Sequence, residues 1–322
     1  MKAHIVAEDG PRLAEIDAPE PGPEDVLVRV RACALNRADL AMARGVKHGA
    51  AGGAGQVLGL EWAGEIVAVG AAASGFSVGD RVMASGGAAF AEFAVSDFGR
   101  VLRIPDAMSF EQAACMPVAL QTMHDAVMTH GELRSGQSVL IQGASSGVGL
   151  MGLQIAKLMG ASVVIGSSTN PERRARLSAF GADLAVDTSN ETWIRDVRNA
   201  TKGEGVDLVV DQVTGALTSQ TLHATRILGR IVNVGRLGGN QAEFDFDIHA
   251  RRRITLVGVT FRTRTKAEVR EISRLMTADL DAPLSEGKLK MPISATYSFD
   301  DLAPALAHMA ANQHFGKIVL KL

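Results

Sequence analysis

A small-residue turn in the middle of the chain, Gly143-Ala144-Ser145-Ser146-Gly147-Val148-Gly149, constrains the fold more than any other stretch. It follows the apolar run "SVLIQ" and opens a helical stretch from Gly147 to Met159, after which "SVVIGS" reads as a second buried strand. In a strand–turn–helix–strand context, small residues let the backbone approach a pyrophosphate. The helix N-terminus adds free N–H groups and the positive end of its dipole. Gly149 lets the helix pack closely on the strand. The expected ligand is a dinucleotide held by Ala144, Ser145, Ser146, Gly147 and Val148.

The turn comes after about 140 residues of different character. "DVLVRVRACAL" alternates and is β-branched, as a half-buried strand should be. "AGEIVAVG", "GDRVMA" and "AEFAVS" continue as short strands between glycine turns. "RGVKHGAAGGAGQVLG" has no periodicity and reads as a mobile loop. After Pro105, "SFEQAACMPVALQTMHDAVM" reads as one helix, with Ser109 as N-cap and Gln112 three residues on. Strands and helices then alternate. Asn170-Pro171 caps the helix "ERRARLSAF", which Gly181 ends. "DLAVD", "VDLVVDQV", "GRIVNVG" and "RITLVGVTF" are further strands. This βαβαβ order implies a parallel sheet with helices on both faces, an α/β fold. The tail carries a helix from about Lys266, another around residues 302–311 and a closing strand "GKIVLKL". The α/β unit is therefore inserted into a β-rich domain: residues 1–117 and 261–322 belong together, and 118–260 form the nucleotide domain.

At the end of "SVVIGS", where an NAD-selective site places Asp or Glu to accept from the ribose 2′-hydroxyl, the chain has Ser167. A carboxylate there would repel a 2′-phosphate, whereas a serine donates to it. Ser168 and Thr169 add hydroxyls, so the expected cofactor is NADPH.

Net charge is −2 over 322 residues, which gives no electrostatic case for nucleic acid or an acidic membrane surface. No apolar run approaches the roughly 20 residues of a spanning helix. Cys33 and Cys115 are the only cysteines, too few for a disulfide scaffold or a four-cysteine zinc lobe. The expected setting is a reducing cytoplasm.

"GASSGVG" also resembles the glycine turn of short-chain dehydrogenases, which carry it near the N-terminus and need Tyr followed four residues later by Lys. The single tyrosine, Tyr297, is followed there by Asp301. A broader resemblance covers the whole chain. "RACALNRADLAMARG", "LGLEWAGEIVAVG", "GDRVMA", "FEQAA", "GASSGVGLMGLQIAKLMGA" and "GKIVL" resemble, in order and spacing, the zinc-free quinone oxidoreductase (zeta-crystallin-like) branch of the medium-chain dehydrogenase/reductase superfamily. The resemblance implies a GroES-like β-rich domain plus a Rossmann domain, with cofactor and substrate in a cleft.

Zinc dehydrogenases of that superfamily hold a catalytic metal with Cys, a His-Glu pair and a further Cys or Asp. Here Asn36 falls at the first Cys and Leu60-Glu61 at the His-Glu pair. The eight histidines show no ligand spacing, and no metal is expected. Without a Lewis acid, hydride donation to a quinone or an α,β-unsaturated carbonyl is the expected chemistry. Asn36 is the expected donor to the developing oxyanion. Asp39 matches a recurrent acidic position and is read as structural. Thr122 matches a threonine at the nicotinamide end. Arg173 matches, by its distance from Gly181-Ala182, a lysine that binds the 2′-phosphate, with Arg174 as its alternate. Val234, Gly235 and Phe261 complete the expected cofactor contacts.

The chain departs from the family in having Lys47 and His48 where many members carry a tyrosine. Either is a candidate donor to the product oxygen, and either could simply be solvated. Reduction of an enoyl thioester, and a non-catalytic NADPH-binding sensor, stay open as alternatives. A homodimer is expected, because "RITLVGVTF" is too apolar for a free edge and the family pairs a strand near this point across two subunits.

Overall fold

The computed structural model describes all residues from 1 to 322. The chain divides into two compact units, Met1–Val118 with Phe261–Leu322, and Ala119–Thr260.

The first unit opens with an antiparallel pair, β1 (Lys2–Ala7) and β2 (Gly10–Glu15). Strand β3 (Asp25–Ala34) follows, then a one-turn helix α1 (Asp39–Met42) and β4 (Glu61–Val69), β5 (Arg81–Ser85), β6 (Phe93–Asp97) and β7 (Val101–Arg103). Alternation in β3 buries Val26, Val28 and Val30 and leaves Arg29 exposed. These valines pack with Trp62, Ile66, Val82 and Phe90 in one core. Helix α2 (Phe110–Ala114) is opened by a capping box between Ser109 and Gln112, and α3 (Pro117–His124) follows.

The second unit begins within α3. Its sheet holds β8 (Ser138–Ile141), β9 (Val163–Ser167), β10 (Leu184–Val186), β11 (Val206–Asp211), β12 (Thr225–Asn233) and β13 (Thr255–Gly258). Helices α4 (Gly147–Leu158), α5 (Pro171–Ala175), α6 (Trp193–Ala200), α7 (Thr218–Ala224) and α8 (Phe246–Arg252) lie between them in the chain. All pairings are parallel, and the spatial order is β10-β9-β8-β11-β12-β13. Such an order reverses direction between β8 and β11, and ligands bind at the carboxyl ends of the strands beside that reversal.

The chain then returns to the first unit with the long helix α9 (Lys266–Ser285), β14 (Ile293–Ser298), α10 (Leu302–Ala310) and β15 (Lys317–Lys321). The larger sheet of that unit runs β14-β15-β3-β4-β5-β7, with β6 also on β3. Its antiparallel register places Val319 opposite Ala34, Cys33 opposite Trp62, Trp62 opposite Ala84, and Ala84 opposite Val101. One end of the sheet therefore gathers the start of β15, the end of β3, the start of β4, the end of β5 and the start of β7.

Three local expectations change. The segment after Ser109 is two helices, because Pro117 has no N–H to continue the first and disfavours a helical residue before it. "RITLVGVTF" contributes a strand of only four residues; Arg253 is the left-handed cap of α8 and the ladder with β12 ends at Gly258. The pair β1–β2 and strands β7 and β14 carry too little apolar alternation to stand out in the sequence.

Candidate active site

In the second unit, the turn between β8 and α4 is held by its own serines. Gly143 takes φ +67°, which a residue without Cβ adopts freely, and its amide donates to Ser167 Oγ (3.1 Å). The Ala144 amide donates to Ser167 O (2.9 Å). Ser146 is the N-cap of α4: its Oγ accepts from the Gly149 amide (3.0 Å). A Cβ on Gly149 would lie 2.6 Å from Ala144 Cα, so only glycine allows this closeness of helix and turn. Gln212, at the end of β11, donates from Nε2 to Gln142 O (3.0 Å) and lies within 3.2 Å of Ser146 Oγ through Oε1. The two strands at the sheet's reversal are thereby tied together. Cap and ladder leave the first-turn amides of Gly147 and Val148 without a protein acceptor. That is the backbone cradle an anionic pyrophosphate fits.

The end of β9 differs from the sequence expectation in one respect. Ser167 is 2% exposed, and its hydroxyl accepts from the turn. It braces the cradle from beneath. Ser168 Oγ, in contrast, meets Ser145 Oγ at 3.0 Å and links strand end to turn. Arg174 donates to Ser168 O (2.8 Å) and pairs with Asp187 (3.0 Å). This pairing draws the Asp187 carboxyl below its usual range, after the larger effect of hydrogen bonds from Ser189. Asp187, which the sequence did not single out, is thus an acid close to the end of β9 whose charge Arg174 answers. Arg173 lies one residue earlier in α5, half-buried, its amide capped by Asn170 Oδ1 (2.9 Å). Thr122 is half-buried in α3, Val234 and Gly235 follow β12 with both amides donating to Asp211 O (2.8 and 3.2 Å), and Phe261 is half-buried where the first unit resumes.

In the first unit, the gathered end of the sheet holds a buried polar network. Asn36 follows β3, Glu61 begins β4 and Lys317 begins β15; their exposures are 8%, 0% and 3%. Lys317 Nζ is ion-paired with Glu61 Oε1 and donates to Asn36 Oδ1 (2.7 Å) and Leu35 O (3.3 Å). An ammonium has three protons, and three acceptors meet them. Asn36 Nδ2 donates to Glu61 Oε1 (2.9 Å), and the Val118 amide donates to Glu61 Oε2 (2.9 Å). The second Nδ2 proton of Asn36 finds only Ala34 O, at 3.5 Å. The Asn36 amide also donates to Asp39 Oδ2 (2.6 Å), while Asp39 Oδ1 is buried without a partner. Burial pushes the Asp39 carboxyl up to about 7, against the opposing pull of the Asn36 amide and Lys317.

Asn36 is therefore not a free amide: Glu61 and Lys317 fix its orientation. The sequence marked Glu61 only as the survivor of a metal-binding pair, and "GKIVL" only as a terminal motif. Lys317 had no local signal, since its partners lie 256 and 281 residues away. Lys47 is exposed and His48 half-buried, in a loop closed by the backbone pair His48–Ala51. Burial and nearby Arg262 hold the His48 imidazole below its usual range. No group of three or more His, Cys, Asp or Glu side chains is arranged to hold a metal ion, and no helix is long and apolar enough to cross a membrane.

A parallel sheet in this order, with a phosphate cradle at its reversal, together with a β-rich unit carrying a buried polar cluster, defines an NAD(P)-binding oxidoreductase. Comparison with known proteins places it further. The zinc-binding dehydrogenase family matches residues 147–278, and the alcohol dehydrogenase GroES-like domain matches residues 22–106. The chain is 30% identical to a quinone oxidoreductase of Pseudomonas aeruginosa over 328 residues, covering 99% of this chain and 98% of that protein. It is 33% identical over 299 residues to the erythronolide synthase EryA2 of Saccharopolyspora erythraea, covering 92% of this chain but only 8% of the synthase. The structure of the mycobacterial protein Rv1454c in complex with NADPH superposes with a TM-score of 0.87 at 25% identity, over the whole of both chains. The chain belongs to the quinone oxidoreductase branch of the medium-chain dehydrogenase/reductase superfamily, with a GroES-like and a Rossmann domain.

Proposed function

We propose that this chain is an NADPH-dependent, metal-independent reductase of quinones or α,β-unsaturated carbonyls. The observation that carries the reading is the Lys317–Glu61–Asn36 network. It occupies the place where zinc-dependent relatives, by the sequence match, keep metal ligands. An ammonium already neutralises Glu61 there, and a second cation would meet its repulsion. Alcohol oxidation needs a Lewis acid or a base to take the hydroxyl proton; hydride donation to a polarised C=C or a quinone needs only a donor for the developing oxyanion. The second Nδ2 proton of Asn36, in an amide that cannot rotate away, is that donor.

A bound nicotinamide supplies the hydride. The free amides of Gly147 and Val148 hold its pyrophosphate, in a turn that Ala144, Ser145 and Ser146 shape. The Ser145–Ser168 pair and Arg173 donate to the 2′-phosphate, with Ser167 bracing the turn. By family resemblance Thr122 lies at the nicotinamide end, and Val234, Gly235 and Phe261 are further cofactor contacts. His48, whose imidazole burial and nearby Arg262 hold below its usual range, and Lys47 are the candidate proton donors to the product.

The polyketide synthases among the relatives favour a second reading, reduction of an enoyl thioester. NADPH fluorescence decay with a naphthoquinone, a simple enone and an enoyl-CoA separates the two. Steady turnover of the first two supports the proposal, turnover of the thioester alone supports the second reading, and binding of NADPH without turnover contradicts both.

The same proposal includes a homodimer. Strand β13 ends the parallel sheet, Leu256 in it is 50% exposed, and Phe246, Leu237 and Leu228 are also exposed in that unit. An apolar open edge pairs readily with its own copy. Light scattering at micromolar concentration should give twice the 33.8 kDa chain mass; a monomer contradicts it.

A further inference from the structure

The sheet end that carries the Lys317–Glu61–Asn36 network holds one more cation, Arg100, whose nearest anion is already engaged by two other cations. Arg100 is the residue just before β7. Since Ala84 faces Val101, Arg100 falls beside the end of β5, one step beyond the ladder. Gly86 follows there, its amide donating to Leu60 O (2.7 Å), next to Glu61. Arg100 Nη1 lies 3.6 Å from where a Gly86 Cβ would be, so the guanidinium lies against that glycine. On the other side, the Ala51 methyl lies 3.1 Å from where a Gly87 Cβ would be, and Ala51 is paired with His48. Arg100 therefore lines the same edge as the oxyanion donor and the Lys47–His48 loop.

Its electrostatic surroundings are unbalanced. Arg100 is half-buried, and its Nε is fully buried with no hydrogen-bond partner. The anion that acts on it is Asp97. Both Asp97 oxygens are taken, by Arg270 (2.8 and 2.6 Å) and by Lys266 (2.7 Å). Glu24 is shared by the same two cations (3.0 and 3.1 Å). Two carboxylates thus face three cations, Lys266, Arg270 and Arg100, which leaves one positive charge over. Desolvating a guanidinium without a partner is costly, and the cost is relieved when an anion arrives. A guanidinium presents parallel N–H groups matched to a carboxylate, and a single surplus charge matches a monoanion better than a phosphate dianion.

We propose that Arg100 anchors a carboxylate on the substrate, so that the chemical class reduced is a carboxylated enone or quinone rather than a neutral one. The inference rests on reading this sheet edge as the reductive site. Gly86, over which the guanidinium lies, follows β5, and Asn36 follows β3. Two strand spacings separate them, roughly 10 Å, so the acid belongs at the end of an arm of several carbons and not on the alkene itself.

Binding measured without turnover tests this. Saturated oxo-octanoate and its methyl ester are titrated into the NADPH-loaded protein by calorimetry, alongside Arg100→Gln and Arg100→Lys. The acid should bind tighter than the ester by roughly 10- to 150-fold, the range of a charge-assisted contact. Arg100→Gln should remove that advantage by weakening the acid alone, and Arg100→Lys should keep part of it. Equal binding of acid and ester, no binding of either, or an Arg100→Gln effect shared by both overturns the proposal. Parent protein that fails to turn over any quinone or enone contradicts the proposed function instead, and leaves the acid–ester comparison to decide Arg100 by itself.

Discussion

The cradle at the start of α4 and the Lys317 network at the end of the β-rich sheet both manage charge, by opposite means. The cradle uses backbone: two unclaimed amides, a helix end, Gly149 where a Cβ would collide and Gly143 at positive φ. Its side chains only brace it. The network is built chiefly of side chains, an ammonium, a carboxylate and an amide, all at or below 8% exposure; the Leu35 carbonyl and Val118 amide complete it, one Asn36 proton has only the long contact to Ala34 O, and one oxygen of neighbouring Asp39 has no partner. A site made of amides tolerates loss of a single hydroxyl. A buried ion pair does not tolerate loss of one partner, because the other is left charged and dry.

The largest expected effect follows from that asymmetry. Lys317→Met strands Glu61 and should destabilise the fold by about 3–5 kcal/mol, read as a fall in urea midpoint, with Asn36 no longer held. Asn36→Ala leaves the Lys317–Glu61 pair in place. It should lower kcat for a naphthoquinone by ~10²-fold, the scale of one lost oxyanion donor, with a smaller loss of stability. If both variants lose stability and kcat in the same proportion, the network is structural only.

On the cradle side, Arg173→Ala should weaken NADPH binding by roughly 10- to 150-fold and leave NADH nearly unchanged, measured by nucleotide fluorescence at fixed salt. Equal weakening of both cofactors would place Arg173 outside the 2′-phosphate site.

The effect of pH is the smallest for a step of one pH unit. The Asp39 carboxyl is raised to about 7 in the folded chain, chiefly by burial, from an ordinary value of about 3.9. A raised carboxyl contributes stability that is full below the unfolded value and is lost as pH rises through the folded one. Between about pH 4 and 7 it should cost up to about 1.4 kcal/mol per pH unit. His4 and His48, both held below their usual range chiefly by burial, act in the opposite sense as pH falls. The difference between parent and Asp39→Asn isolates the Asp39 contribution, and parallel pH–stability curves would remove it.

The contrast between backbone and side-chain chemistry also explains what could be read from the chain. Gly143 to Gly149 is contiguous, and strand, turn and helix signals coincide there, so the cradle was legible. Asn36 and Glu61 stood out only against the family's metal ligands. Lys317 did not, because three strands distant in sequence become neighbours only when β15 pairs with β3. Ser167 shows the converse: position along the strand was right, but whether its hydroxyl faced ligand or turn depended on how Gly143 folds over it. Arg100 was invisible for the same reason as Lys317, since its surroundings are set by the β5–β7 ladder.

The most direct test of the claim that a lysine–glutamate pair stands where relatives keep a metal is turnover after exhaustive chelation. Parent protein dialysed against a strong chelator, then assayed for NADPH oxidation with a naphthoquinone, should retain its full rate, and added Zn²⁺ should not raise it. A rate lost on chelation and restored only by Zn²⁺ would contradict the claim.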